Sequence, residues 1–270
     1  MSIPIRKWSG GTESFSRKKL AASMRSTGAP ADVVDRVLDS IEPRLRSGMS
    51  TAKLYRLAFD ALRREGPHYA GRYGLRRSVM ELGPSGYGFE KLWGALLEAQ
   101  GWSTRVGVRL PGRFVRHEVD VVATRDGRRT YTECKFHNRP GRKTDVKVSL
   151  YVYARSLDLQ NADGSDFDRF QLVTNTRFTK DALRHGEGVG LEMISWTHPA
   201  RDGVKDRIER ARLHPVTCLT TLTRKHKRQL LEDGVVLARQ LADDHAALQR
   251  LPLKAARRDR VRAELDALLD

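Results

Sequence analysis

Apolar positions along the chain alternate between two rhythms, one near 3.6 residues and one of two, and the changes between them outline the elements. Ile3 to Ile5 is a short apolar start, Gly10-Gly11 reads as a turn, and Ser16 is placed to cap a helix running through Leu20. Val33, Val34, Val37, Leu38 and Ile41 fall at helical spacing within Ala31 to Leu45, with Asp32 near the start. Ser50-Thr51 precedes Leu54, Leu57, Ala58, Ala61 and Leu62 at the same spacing, and a last helix of this block is expected from about His68 to Met80. After Gly83-Pro84-Ser85-Gly86, the clearest linker in the sequence, Phe89, Leu92, Trp93, Leu96 and Leu97 form one helical stripe that Gly101 stops.

The rhythm then changes. Arg105 to Leu110 reads as a strand, Pro111-Gly112-Arg113 as a turn, and Asp126-Gly127 between two β-prone runs as a two-residue hairpin turn. A basic stretch from His137 to Lys147 leads into a helix at about Val148 to Leu159, a strand at Gln171 to Asn175, a helix at Thr179 to His185 and a strand at Leu191 to Trp196. Strands and helices taken in turn imply an α/β layer. From about Asp202 the chain reads as charged helices, with Asp233-Gly234 breaking the stretch from Leu219 to Ala242. The expected units are residues 1–84, 86–200 and 201–270.

The hairpin carries the chemistry. A two-residue turn pairs Arg125 with Arg128, and counting outward places Asp120 opposite Glu133, with Lys135 two residues further along the same face. Like charges facing one another across a hairpin repel, so the pair calls for a cation, and a hard divalent metal suits carboxylate oxygens. Two carboxylates, a metal and a lysine are the parts that phosphodiester hydrolysis needs. A solvated hairpin face carrying the same three residues is the alternative.

Composition supplies a partner. The 270 residues hold 50 Lys and Arg against 33 Asp and Glu, a net charge of +17. An excess of that size points to a polyanion, either nucleic acid or an anionic membrane surface. Membrane is disfavoured because no apolar run approaches the roughly 18 residues a spanning helix needs, and no signal segment opens the chain. DNA is the expected partner, and the cytoplasm the expected location. Cys134 and Cys218 offer neither zinc spacing nor a disulfide framework, and Cys134 faces away from the carboxylates toward the core.

The motifs, in their order and setting, resemble the PD-(D/E)xK nuclease superfamily, and most the Mrr-like branch of type IV restriction endonucleases. The matching residues are Gly86-Tyr87-Gly88-Phe89-Glu90, Glu118-Val119-Asp120-Val121-Val122-Ala123, Glu133-Cys134-Lys135, Leu172 to Ala182, and Met193-Ile194-Ser195-Trp196. The resemblance implies cleavage of DNA that depends on Mg²⁺ or Mn²⁺. Asp120 and Glu133 would ligate the metal together with the backbone carbonyl of Cys134. Lys135 would position the attacking water or stabilise developing charge, and Glu90 would complete the site from its helix, as in archaeal Holliday-junction resolvases.

The first block resembles an ATP-cone, the small nucleotide-sensing domain of ribonucleotide reductases and their repressor. The resemblance runs through Ile5 to Phe15, Arg17-Lys18-Lys19-Leu20, Gly48-Met49-Ser50-Thr51 and Tyr73-Gly74-Leu75-Arg76, with Lys7-Trp8 and Ser9 departing from the usual Lys-Arg and Asp. It implies binding of ATP or dATP as an effector through Lys7, Lys19 and Thr51. The alternative is a degenerate cone that presents basic charge to DNA. Leu219 to Ala242 resembles a helix-hairpin-helix element with one of its glycines, and a solvated helical cap is its other reading. The expected architecture is therefore a restriction-endonuclease-like α/β core, preceded by a small, mainly helical ATP-cone-like domain and followed by a helical tail.

Two functions of different class fit these features. One is a metal-dependent DNA endonuclease under nucleotide control, acting in restriction, repair or junction resolution, with a homodimer as the form that makes double-strand cuts. The other is an ATP-responsive DNA-binding regulator whose nuclease-like fold is scaffold only.

Overall fold

The computed structural model describes residues 3–7, 10–160, 162, 164 and 166–270; Trp8 and Ser9 of the ATP-cone resemblance lie outside the described residues. The N-terminal part begins with strands β1 (Pro4–Arg6) and β2 (Thr12–Ser14), then helices α1 (Arg17–Arg25) and α2 (Ala31–Ile41). Strand β3 (Met49–Ser50) runs directly into α3 (Thr51–Glu65), which is followed by α4 (Pro67–Tyr73) and α5 (Leu75–Met80). The three strands form a sheet in the order β2-β1-β3. Ser16 and Ser50 cap α1 and α3, accepting hydrogen bonds at 3.2 Å from the amides of Lys19 and Lys53, so both caps are local features a sequence can state. The stripe on α2 is fully buried.

Where one helix is expected from His68 to Met80, the chain forms two, divided at Gly74. The division also separates two cores. Ala70 packs with the N-terminal cluster of Val34, Leu38 and Leu62, whereas Leu75, Val79 and Leu82 pack with the later part of the chain.

The second part contains α6 (Tyr87–Glu98), β4 (Ser103–Pro111), β5 (Arg116–Arg125), β6 (Arg128–Lys135), β7 (Lys143–Thr144), α7 (Val146–Gln160), β8 (Arg169–Thr174), β9 (Arg177–Phe178), α8 (Lys180–Gly188) and β10 (Glu192–Ile194). The main sheet has the order β10-β8-β6-β5-β4, with β4, β5 and β6 antiparallel and β6, β8 and β10 parallel. Asp126 and Gly127 both have positive φ, +51° and +75°, as the tight turn between β5 and β6 requires, and Arg125 pairs with Arg128. The two-residue strands β7 and β9 pair in parallel and are too short to leave a period in the sequence.

The last part holds α9 (Val204–Ala211), α10 (Arg224–Glu232), α11 (Ala238–Asp243), α12 (His245–Arg250) and α13 (Ala255–Leu269). These helices are not a solvated cap. Leu219, Leu230, Val236, Leu241, Val261 and Leu265 are buried in the same cluster as Trp93 and Leu96 of α6, so this part completes the core on one face of the sheet. The buried Glu264 on α13 accepts from the amides of Thr220 and Thr221 at 2.6 and 2.9 Å, which satisfies a carboxylate that could not otherwise be buried. Arg72 of α4 reaches the end of α13, donating to the carbonyls of Ala267 and Leu268 at 3.0 Å each. The opposite face of the sheet is covered by α7 and α8, with Tyr131, Val152, Leu159, Phe170 and Leu172 between them.

Candidate active site

The site is built where the sheet breaks its own rule. Side chains on a strand alternate between faces, and on β5 Val121 and Ala123 pack toward α6 while Val122 packs toward α7. Continuing that alternation would put Val119 with Val121, yet Val119 lies on the α7 side. The same slip occurs on β4, where Val106 packs toward α6 but Val108 and Leu110 pack toward α7. Both slips surround the Gly107–Asp120 position, at which the β4–β5 ladder skips one pair. Gly107 has φ of +67°, a conformation that a side chain would strain, so glycine permits the kink.

The β5–β6 ladder ends at Val121–Thr132, one pair short of the Asp120–Glu133 pair that simple counting gives. The register is as expected, but the strands part at that point. Asp120 turns its carboxylate into the gap, and its Oδ2 accepts a hydrogen bond of 2.6 Å from the Cys134 amide. A side chain thus takes the place of a strand carbonyl.

Glu133 lies on the α7 side, where its Oε2 is 2.5 Å from Nη1 of Arg155. Arg155 is buried and also donates through Nη2 to the Glu118 carbonyl. Sequence reasoning missed this residue, although a signal existed: Val152, Arg155 and Leu159 follow the buried stripe of α7, so an arginine occupies a core position. Lys135, two residues beyond Glu133 and paired with Thr174 of β8, is exposed. Glu90 sits half-buried in the first turn of α6. Cys134 packs against the α6-side core as expected, and burial pushes its thiol far up. The segment after Lys135 is fixed by Asn175, whose side chain accepts from the His137 amide and donates to the His137 carbonyl, both at 2.8 Å.

The electrostatics are those of acids short of cations. Burial, then Glu133, pushes Asp120 up to about 7, against the lowering effect of the Cys134 amide. Burial also raises Glu90, with Glu118 and Glu133 adding repulsion. Among the described residues no group of three or more His, Cys, Asp or Glu side chains is gathered as a closed metal centre. The donor chemistry nevertheless fits Mg²⁺, which binds through one or two carboxylates, keeps several waters and meets substrate phosphate. Asp120 and Glu133 would supply such a pair, and a cation beside Asp120 would offset the burial and the repulsion that raise it.

The residues expected to hold a nucleotide lie apart from these. Lys7 and Lys19 converge on one carboxylate, Glu13: Lys7 Nζ is 2.6 Å from its Oε2, and Lys19 pairs with its Oε1. Thr51 is the exposed first residue of α3, next to the capping Ser50.

Comparison with known proteins places two matches along the chain. Residues 83–198 match the Mrr catalytic model, described as a restriction endonuclease, and residues 214–269 match the AF1548-like C-terminal model. An uncharacterized protein of Archaeoglobus fulgidus is 34% identical over 170 residues, which cover 63% of this chain and 95% of that protein. The crystal structure of AF1548, a protein of unknown function, is 32% identical, with a TM-score of 0.57 over 68% of this chain and 97% of its own. No helix among the described residues is long and apolar enough to cross a membrane.

Proposed function

The chain belongs to the family of the Archaeoglobus fulgidus relative and carries within it a restriction-endonuclease domain, and on that premise we propose that it is a metal-dependent nuclease that hydrolyses DNA phosphodiester bonds. The observation that carries this reading is the parted strand at Asp120, where a kink, a half-buried carboxylate raised to about 7 and a neighbouring Glu133 meet. Such an arrangement costs stability, and sites of that kind are kept for chemistry.

Asp120, Glu133 and the Cys134 carbonyl would hold Mg²⁺ or Mn²⁺. When bound, the cation supplies charge neutralisation at the phosphate and a more acidic water. The remaining work falls to the chain itself. Arg155 orients Glu133 from the α7 side. Lys135, exposed at the mouth, orients the attacking water and offsets charge on the phosphate oxygens. Glu90, held above the ordinary carboxylate range, can take up a proton or return it. The excess of basic residues attracts the DNA backbone. Purified protein is expected to nick plasmid DNA with Mg²⁺ or Mn²⁺. Asp120→Asn, Glu133→Gln, which keeps an oxygen for Arg155, and Lys135→Ala should each abolish cleavage while remaining folded, and retained cleavage in these variants would refute the assignment.

A second reading, a DNA-binding regulator on a nuclease scaffold, draws on Arg155, since a built-in cation already faces Glu133. It predicts DNA affinity that metal and the carboxylate substitutions leave unchanged. The ATP-cone-like reading of the N-terminal part rests on Lys7 and Lys19, which a triphosphate would draw away from Glu13. Cleavage measured with and without ATP or dATP tests that reading.

A further inference from the structure

A cavity of about 800 Å³ lies between the Gly83–Tyr87 turn and α10. It lies outside the carboxylate site, and none of Glu90, Asp120, Glu133 and Lys135 lines it. A second hollow, of about 420 Å³, is lined by Phe136 and His137, which follow Lys135 directly, and the two share Pro84 and Asn138. Arg139 and Arg142 line this hollow as well. The two hollows therefore adjoin, basic side chains line both, and the smaller one begins at the residue after Lys135.

The wall that α10 contributes is electrostatically unusual. The helix opens Arg224-Lys225-His226-Lys227-Arg228 behind its Thr223 cap, with no acidic residue in its first turn. The N-terminal end of a helix already carries partial positive charge, so cations there oppose the dipole and an anion is the natural complement. Lys227 is committed, donating to the Thr217 carbonyl at 2.6 Å, but Arg224 and Arg228 are exposed. Lys91 of α6 approaches from the other side, lying 4.8 Å over the ring of Tyr87, which is itself 50% exposed. Below these cations lie Leu82, Leu231 and Val236; Glu81, paired with Arg77 at 2.9 Å, and the exposed Glu232 also line the cavity, so the cations Lys91, Arg224, Lys227 and Arg228 outnumber the acids. Cations above an apolar floor with an aromatic ring at the rim match a nucleotide: phosphate outside, base within.

We propose that this cavity seats one nucleotide of the DNA strand that passes Lys135, its phosphate held by Arg224, Arg228 and Lys91 and its base against Leu82, Leu231 and Tyr87. The C-terminal part thereby acts as a substrate clamp joined to the catalytic domain. The proposal rests on the nuclease reading above, and its test is arranged to fail separately. Binding of fluorescent DNA to the full chain is measured in EDTA, where metal-dependent cleavage is silent, across a range of salt concentrations. Arg224→Glu with Arg228→Glu should weaken binding at least tenfold and reduce the salt slope by about two, as expected for two lost phosphate contacts. Tyr87→Ala should lower affinity without changing that slope. A 2-aminopurine placed in the strand should brighten on binding the parent, as its base leaves the stack, and stay quenched with the double variant. If the double variant binds like a parent that cuts DNA, the cavity assignment falls and the nuclease stands. If the parent neither binds nor cuts DNA, both fall. A free mononucleotide that fills the cavity without competing with DNA would overturn the choice of a DNA strand.

Discussion

Glu13 and Asp120 are both carboxylates within strands, β2 and β5, and they sit in opposite electrostatic situations. Glu13, at the surface, is approached by two lysines and held down to about 2, chiefly by hydrogen bonds from Lys19 and Lys7. Asp120 is half-buried beside Glu133 and is pushed up to about 7. The first acid has more cations than it needs. The second has fewer, because the one buried cation of the site, Arg155, is spent on Glu133. Surface ion pairs with surplus partners contribute little and indicate little about function, whereas a half-buried acid left short of charge is the kind of group that functional sites use.

The comparison breaks most visibly at Arg155. Replacing it with methionine keeps the volume but leaves Glu133 without its cation and the Glu118 carbonyl without its donor. Removing one member of a buried pair typically costs about 3–5 kcal/mol, so the metal-free variant should melt roughly 10 °C below the parent. Millimolar Mg²⁺ or Mn²⁺ should restore part of that loss, because a bound cation replaces the missing charge. Equal melting of variant and parent without metal would mean that Arg155 does not balance the site.

Asp120 sharpens the same point through pH. Its folded value, about 7, lies above the roughly 3.9 of an unfolded aspartate, so the folded state holds the proton more tightly. The stability this contributes is complete below pH 4 and is lost as pH rises toward and through 7. Asp120→Asn keeps an oxygen for the Cys134 amide and removes the titration. Without metal, the variant should therefore match the parent below pH 4, pull ahead of it as pH rises, and exceed it by roughly 2–4 kcal/mol at pH 8, as read from urea unfolding. Mg²⁺ should narrow the gap at pH 8 by stabilising the parent alone. A gap independent of pH would show that Asp120 carries no such burden.

How much of this could be read beforehand depended on how local each feature is. The Asp126-Gly127 turn, the caps at Ser16 and Ser50, and the buried stripe from Val33 to Ile41 depend on neighbours in sequence and were legible. The kink at Gly107 and Asp120 was not, because strict alternation is the assumption that sequence counting rests on, and a slip shared by β4 and β5 appears only once the strands are paired. Arg155 was legible as an anomaly on an apolar stripe, but its partner is 22 residues away on β6. The helices after Asp202 look solvated in the sequence because their charged residues outnumber the apolar ones. Their buried positions become apparent only against Trp93 and Leu96.

The smallest expected effect lies at Glu13, and it is the sharper test of the N-terminal reading for that reason. Its side chain is 36% exposed, and those of Lys7 and Lys19 are 47% and 73% exposed, so water and salt screen the cluster and Glu13→Gln should leave the melting midpoint unchanged within error. The titration itself should still be visible. In low salt the Glu13 carboxylate should titrate at about 2 by NMR, and 1 M salt should move it back toward the ordinary glutamate range. The substitution also frees Lys7 and Lys19, the two cations that a triphosphate would need. If the N-terminal part binds ATP or dATP there, Glu13→Gln should tighten that binding while stability stays flat, because the competing carboxylate is gone. Unaltered nucleotide affinity, or none in either protein, would leave Glu13 as a surface ion pair and withdraw Lys7 and Lys19 from the nucleotide reading.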